Sequence, residues 1–211
     1  MLNDYCWPAY VEIGNISNDK LKKIVESLPS LDDKTKWIAQ GTRGSYFLPV
    51  YGNSPRTGKT KYADYINENL KEIADPLINL CNPSPDVFVL YTPPDAEFPD
   101  HNDTGMFEIT NYAACWKLRI VLDGDPSCLY FIDSNNKKIF IPADANIYAL
   151  NGIFPHGMET TTAKLTLAIG WPWRGMNFEW NQFLFNLNKR KIFINSSPTT
   201  NHMFESMDFK K

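Results

Sequence analysis

Apolar residues recur with a helical period in the first part of the chain. They do so in the segment Asp19–Leu28, where Ser17 or Asn18 precedes as the capping residue. The same period continues from residue 61 to residue 80, where Pro76 is expected to kink or split the helix. The pattern therefore predicts two amphipathic helices, each with one buried face.

Beyond residue 85 the pattern changes to short β-branched and aromatic runs separated by turn residues. These runs are Val87–Thr92, Trp116–Leu122, Leu129–Ile132, Lys138–Ile141, Asn146–Leu150 and Lys164–Ile169. An extended segment at Tyr10–Ile13 comes first, and the residues Asp133–Asn136 are typical of a hairpin turn. A last helix is predicted over residues 177–188, before a polar tail beyond Ser196. The fold class that follows is mainly β with flanking helices, built as antiparallel sheets in a sandwich or barrel.

The chain is expected to form a single domain over residues 1–211. Its hydrophobic content of 43% is ample for a packed core, and no repeat or low-complexity linker marks a boundary. Within that domain we expect helical N-terminal support in residues 1–85 and a β core in residues 86–175. A C-terminal helix and a loose tail complete residues 176–211.

Charge and cysteine usage exclude several classes of protein. Lys plus Arg is 21 and Asp plus Glu is 24, a net charge of −3, and no segment concentrates basic charge, so no nucleic-acid partner is expected. The uncharged runs are too short for a membrane span. The N-terminus has no basic or apolar leader, and the four cysteines form no CxxC pair. A cytoplasmic location with free thiols is therefore predicted.

Histidine is the most informative residue type because the chain has only three. In His101-Asn102-Asp103 an imidazole and a carboxylate two residues apart face the same way on an extended backbone. His156 follows about five strands later, and in a closed double sheet that strand can return beside the first. Two imidazoles and one carboxylate on one face of a metal leave the coordination positions on its opposite face open, and this ligand set suits non-haem Fe(II). His202 lies in the polar tail and has no partner in a pattern.

These residues resemble the Fe(II)- and 2-oxoglutarate-dependent oxygenases, whose pattern is HxD, a distal His, and a basic residue on the next strand. His101, Asp103 and His156 match the first two elements. Lys164 and Thr166, which share one face of the strand Lys164–Ile169, match the third. The resemblance implies that the first three residues are catalytic and bind the metal. It implies that the last two bind the far carboxylate of 2-oxoglutarate, which needs a charged partner once it is buried.

Two further residues look similar to co-substrate residues of particular branches. Tyr91 resembles a tyrosine of prolyl-hydroxylase-like members, and Arg119 resembles an arginine of the aspartyl/asparaginyl-hydroxylase branch. Both are expected to bind 2-oxoglutarate, and the choice of branch stays open.

The resemblance implies a fold and a reaction. The fold is a double-stranded β-helix, a jelly-roll or cupin-like barrel, with N-terminal helices that buttress its major sheet. The cofactors are Fe(II), the co-substrate 2-oxoglutarate and O₂. Succinate and CO₂ are the products from the co-substrate, and hydroxylation of a peptidyl or amino-acid-like substrate is the expected activity.

Two other functions stay open for the same residues. One is a cupin-like metalloenzyme that needs no 2-oxoglutarate. The other is a non-catalytic barrel that binds a peptide or a protein through an aromatic cluster. That cluster consists of Trp171, Trp173, Phe178, Trp180, Phe183 and Phe185. The segment Gly52–Thr60 lacks the spacing of a phosphate loop and is interpreted as a flexible loop, and the question whether it closes over the site as a lid stays open.

Overall fold

The computed structural model describes residues 8–40, 44–52, 62–80, 87–102, 116–169, 184 and 186–194. Its strands are β1 (Tyr10–Gly14), β2 (Ile38–Gln40), β3 (Ser45–Tyr51), β4 (Val87–Thr92), β5 (Glu97–His101), β6 (Trp116–Asp123), β7 (Leu129–Ile132), β8 (Lys138–Phe140), β9 (Ile147–Asn151), β10 (His156–Glu159), β11 (Lys164–Ile169) and β12 (Lys191–Ile192). The helices are α1 (Asn18–Glu26), α2 (Glu68–Leu80) and a 3-10 helix (Pro126–Cys128). Neither α-helix of the described ranges has the length and apolar character needed to cross a membrane.

The described strands form two antiparallel sheets. The major sheet has eight strands in the order β12-β1-β9-β6-β11-β4-β3-β2, and the minor sheet has four in the order β5-β10-β7-β8. Strands far apart in sequence become neighbours, since β11 lies between β6 and β4 and β10 lies between β5 and β7. This order brings the residues after β4 beside those after β9.

Alternation along the strands divides the core into two clusters. The outer cluster lies between the major sheet and the helices, and combines Leu21 and Ile24 of α1 with alternate sheet residues such as Leu118 and Leu167. The inner cluster lies between the two sheets and includes Val121, Tyr148 and Phe131. The central strands β1, β9 and β6 of the major sheet thus present one face to the helices and the other to the space between the sheets.

The structure confirms the predicted mainly β class with flanking helices. The turn at Asp133–Asn136 joins β7 to β8, because the Asp133 carboxylate accepts hydrogen bonds from the backbone N–H groups of Asn135 and Lys137 at 2.8 and 2.9 Å. Asn136 adopts a φ of 59°, a conformation that asparagine tolerates better than most residues.

Three sequence predictions need correction. The second helix begins at Glu68 rather than at residue 61, because the Asn67 side chain accepts the hydrogen bond of the Leu70 N–H at 3.0 Å and caps it there. That helix also continues through Pro76, which lies on its exposed side. Residues 1–85 are not only helical, since they supply β1, β2 and β3 to the major sheet.

The runs predicted as strands include neither β5 nor β10 of the minor sheet, and several other predictions lie outside the described residues. The predicted helix 177–188 is described only at residues 184 and 186–188. Three other features lie outside the described residues. They are the loop that follows Gly52, the residue His202, and the aromatic cluster at residues 171, 173, 178, 180, 183 and 185.

Candidate metal and co-substrate site

His101 and His156 lie side by side in the minor sheet. His101 ends β5, His156 begins β10, and the two residues face each other in the antiparallel ladder. Their ring centroids are 4.5 Å apart. His156 is also directly opposite Phe131 of β7, a member of the inner cluster, so its ring faces the space between the sheets. Two residues distant in sequence thus meet on one inner face.

The same hydrogen bond orients both imidazoles. His101 Nδ1 lies 2.8 Å from the Pro99 carbonyl oxygen, and His156 Nδ1 lies 2.9 Å from the Phe154 carbonyl oxygen. A carbonyl can only accept, so each Nδ1 carries the proton and donates it. In the neutral ring the lone pair is then on Nε2, which is the arrangement that metal-binding histidines show.

The third predicted metal ligand, Asp103, lies outside the described residues. Among the residues that are described, no third His, Cys, Asp or Glu joins the histidines in a group able to hold a metal ion. The described residues therefore supply two ligands of the predicted set of three.

A tyrosine on the outer face of the minor sheet braces the histidine strands. Tyr130 of β7 lies opposite Gly157 of β10, and its hydroxyl reaches past that glycine to donate to Asp100 Oδ1 on β5 at 2.7 Å. Burial and this bond raise the pKa of Tyr130. Asp100 precedes His101 and Gly157 follows His156. The hydroxyl thus links β5 and β7, the two strands on either side of β10, next to both histidines.

Lys164 occupies the inner face of the major sheet and is 3% exposed. It begins β11, two residues before Thr166, which lies opposite the inner-cluster residue Val121. Residues two apart on a strand share a face, so the Lys164 and Thr166 side chains both face the space that the histidines line from the other sheet. The predicted co-substrate pair is thereby placed across from the predicted metal pair.

The Lys164 ammonium is buried and forms no salt bridge with any residue that the structure describes, although the Asp125 carboxylate acts on it from beyond salt-bridge distance. Its hydrogen-bond partner among those residues is Cys128 Sγ, 3.1 Å from Nζ. Burial lowers the pKa of Lys164, but electrostatic interactions with Tyr148, Cys128 and the Asp125 carboxylate, together with the hydrogen bond to Cys128, outweigh it, so the pKa is raised above the ordinary value. A charged ammonium in this position needs an anionic partner to offset its desolvation.

Arg119 faces the same space farther along the major sheet. It lies opposite Ala168 of β11 and Tyr148 of β9, and its Nη1 donates to the Leu118 carbonyl oxygen at 2.9 Å. Ala168 is four residues from Lys164, roughly 13 Å along an extended strand. The structure therefore puts Arg119 on the inner face, at a different position along the strands from Lys164.

Tyr91 is not brought to this site. It lies opposite Leu165, and both residues pack against the outer cluster. Its ring also contacts that of Tyr46, with centroids 6.4 Å apart. The neighbouring residue Thr92 is the one opposite Lys164. The structure therefore does not bring Tyr91 together with Lys164 and Thr166, because alternation turns its side chain toward the helices, and its role in co-substrate binding stays a prediction.

Two residues of the Lys164 surroundings were missed by sequence reasoning. Tyr148 is an inner-cluster residue on β9, and Cys128 ends the 3-10 helix that leads into β7. Neither belongs to a motif. The one available signal was the alternation of the strand Asn146–Leu150, which puts Tyr148 and Leu150 on one face.

Comparisons with known proteins identify solved structures with a similar fold. The sequence matches no family model and no curated protein. The structure is similar to a Pseudomonas putida prolyl-4-hydroxylase, with a TM-score of 0.54, 13% identity, and coverage of 82% of this chain and 97% of that one. It is also similar to a Trichoplax adhaerens prolyl hydroxylase solved with a peptide fragment of hypoxia inducible factor, with a TM-score of 0.53, 13% identity, and coverage of 84% and 87%.

A third similar structure is the non-haem, α-ketoglutarate-dependent carbocyclase SnoK of nogalamycin biosynthesis. Its TM-score is 0.52 and its identity 11%, with coverage of 80% of this chain and 81% of that one. These structures confirm the predicted fold. The chain has a double-stranded β-helix fold, which it shares with these oxygenase structures.

Proposed function

We propose that this protein is an Fe(II)- and 2-oxoglutarate-dependent dioxygenase that hydroxylates a peptidyl or amino-acid-like substrate. The observation that carries the proposal is the Lys164 ammonium, which is 3% exposed and lies across from the paired histidines. In a metal-binding β-barrel enzyme that used no anionic co-substrate, a cation buried at this position would have no function, and burying it would cost free energy.

His101 and His156 would hold the metal through Nε2, because both Nδ1 atoms are committed to backbone carbonyls. Asp103 is proposed as the third ligand on the strength of its HxD spacing. Iron held by two imidazoles and one carboxylate would keep open positions for a chelating keto acid and O₂, and would supply the oxidising chemistry.

Lys164 and Thr166 would hold the far carboxylate of 2-oxoglutarate. The ammonium supplies the charge, and the Thr166 hydroxyl supplies a second donor on the same face of β11. Thr92 lies directly opposite Lys164 and is 2% exposed, so its hydroxyl lines the same end of the space. The roles of these residues are to orient the co-substrate and to keep water from it. The role of Arg119 in co-substrate binding stays a prediction.

The substrate class rests on two kinds of support. The sequence resembles the prolyl and the aspartyl/asparaginyl hydroxylase branches, and two of the similar structures are prolyl hydroxylases, one of them with a peptide bound. We therefore propose a peptide or an amino-acid-like molecule as the primary substrate, with succinate and CO₂ as the products from the co-substrate.

The test measures turnover of 2-oxoglutarate. Purified protein with Fe(II), ascorbate, O₂ and 2-oxoglutarate is assayed for succinate, alone and with a library of proline-, aspartate- and asparagine-containing peptides. We expect slow succinate formation without peptide, and faster formation coupled to a mass increase of one oxygen atom on a peptide that is a substrate.

Two variants make the assay specific. His156→Ala should abolish succinate formation, because it removes a proposed metal ligand. Lys164→Met keeps the length of the side chain without its charge and should raise the KM for 2-oxoglutarate by at least tenfold, since charge-assisted hydrogen bonds are lost. Metal-dependent oxidation of a substrate that persists without 2-oxoglutarate would instead favour the cupin-like enzyme. Peptide binding without turnover or metal binding would favour the non-catalytic barrel.

A further inference from the structure

We propose that Cys128 is a positioning residue for Lys164, so that its thiol holds the buried ammonium in the orientation that receives the far carboxylate of the co-substrate. This inference rests on the proposed function. Its basis is the distance of 3.1 Å between Cys128 Sγ and Lys164 Nζ, with both residues buried.

The backbone that precedes Cys128 holds this residue close to Lys164. Gly124 follows β6 with a φ of 91°, and a Cβ at this position would lie 2.7 Å from the Ala163 carbonyl oxygen and 3.0 Å from Lys164 Cα. Only glycine accommodates this conformation and this approach. The turn after β6 therefore packs directly against the start of β11.

A capped 3-10 helix continues from that turn. Asp125 Oδ1 accepts a hydrogen bond from the Ser127 N–H at 2.8 Å, and Pro126 fixes the first helical position. Cys128 ends this helix and is 7% exposed. The thiol is thus presented by a short rigid element rather than by a mobile loop.

The Cys128 thiol is suited to orienting the Lys164 ammonium rather than to neutralising its charge. A thiol is a weak acceptor, and an ammonium has three N–H donors. One donor directed at Sγ leaves two for a carboxylate, which is the stronger acceptor. Cys128 can therefore keep its bond to Lys164 while the co-substrate is bound, and it fixes a side chain that would otherwise lose more rotamer freedom on binding.

The test measures the Kd of 2-oxoglutarate by anaerobic calorimetry on protein loaded with Mn(II). Loss of one such hydrogen bond in Cys128→Ala should raise the Kd roughly three- to tenfold. Cys128→Ser retains an acceptor and should recover most of the affinity. Metal affinity, measured separately, should be unchanged in both variants, because the thiol does not touch the histidines in this account.

Ser127→Ala is the matched control. It removes the Ser127 hydroxyl from its bonds to Asp125 at 2.7 and 2.8 Å and leaves the thiol in place. We expect its Kd to match that of the unmodified protein. An equal loss in Ser127→Ala and Cys128→Ala would overturn the inference, because the turn and not the thiol would then matter. A Kd that is unchanged or lower in Cys128→Ala would also overturn it, whereas failure of the unmodified protein to bind 2-oxoglutarate would refute the proposed function instead.

Discussion

One added methyl group at Gly157 tests the packing that braces the two histidine strands. A Cβ at this position would lie 2.5 Å from Tyr130 Oη, 2.7 Å from Tyr130 Cζ and 3.0 Å from Asp100 Oδ1. The tyrosine has little room to move, since it is 3% exposed and packs against the Phe140 ring with centroids 5.3 Å apart. The Lys138 ammonium also lies 4.3 Å from the centre of its ring.

The cost of Gly157→Ala follows from what must give way. Overpacking a well-filled site costs about 1–3 kcal/mol. Displacing Tyr130 also breaks its hydrogen bond to the Asp100 carboxylate, which is worth about 1.5–3 kcal/mol for a charged acceptor. The cost of overpacking and the cost of the lost hydrogen bond overlap, because one movement of Tyr130 relieves the first and causes the second. We therefore expect Gly157→Ala to lower the free energy of unfolding by about 3 kcal/mol in total. At 2–4 °C for each kcal/mol in a chain of this size, the melting temperature should fall by roughly 10 °C.

The assay is thermal and urea unfolding, combined with Mn(II) affinity. Gly157→Ala should lower both the stability and the metal affinity, because Gly157 and Asp100 adjoin the two histidines. Tyr130→Leu in the Gly157→Ala background removes the hydroxyl and the para carbon that the new methyl meets. The double variant should therefore be less destabilised than the sum of the single variants. A Gly157→Ala protein with unchanged stability, or fully additive effects, would refute this reasoning.

Three further predictions concern other parts of the molecule. Lys164→Met should raise the free energy of unfolding of the ligand-free protein by about 1–3 kcal/mol, because a buried cation is replaced by an apolar chain of similar size, and lower stability in urea would contradict this. His156→Ala should weaken Mn(II) binding at least a hundredfold in calorimetry while far-UV circular dichroism stays unchanged, and retained binding would remove His156 from the site. Burial raises the pKa of Tyr65 to about 12, so its neutral form is favoured in the folded state and its contribution is lost as pH rises from about 10 to 12. The stability advantage of the unmodified protein over Tyr65→Phe should therefore shrink by up to about 1 kcal/mol between pH 9 and pH 11, after allowance for solvent screening, and a constant difference would contradict the shift.

The strands that carry most of the core were predictable because their residues are locally typical. Runs such as Val87–Thr92 and Lys164–Ile169 are apolar, β-branched and bounded by turn residues, so composition alone indicates their state. The strands β5 and β10 were missed because Glu97–His101 and His156–Glu159 carry charged and polar residues, and β5 also contains a proline. Pairing with neighbouring strands makes them strands, and that is a tertiary effect.

The candidate site also combines features that the sequence predicts with features that depend on tertiary packing. His101, His156, Lys164 and Thr166 were predicted because their order along the chain resembles a known pattern, and the structure puts them around one space between the sheets. The structure puts Tyr91 on the face of β4 that packs against the outer cluster, which the sequence did not indicate, because a shift of one residue in register moves a side chain to the opposite face and a single sequence does not fix the register between β4 and β11. Cys128 was missed because it approaches Lys164 through the packing of a turn.

The central claim is that the paired histidines and Lys164 form one site for Fe(II) and 2-oxoglutarate. Anaerobic titration of the protein with Fe(II), with and without 2-oxoglutarate, tests it through the metal-to-ligand charge-transfer band in the visible region. We predict a band that develops only when both are present, that is lost in Asp103→Ala and His156→Ala, and that needs more 2-oxoglutarate in Lys164→Met. Well-folded protein that gives no band with both ligands would contradict the account.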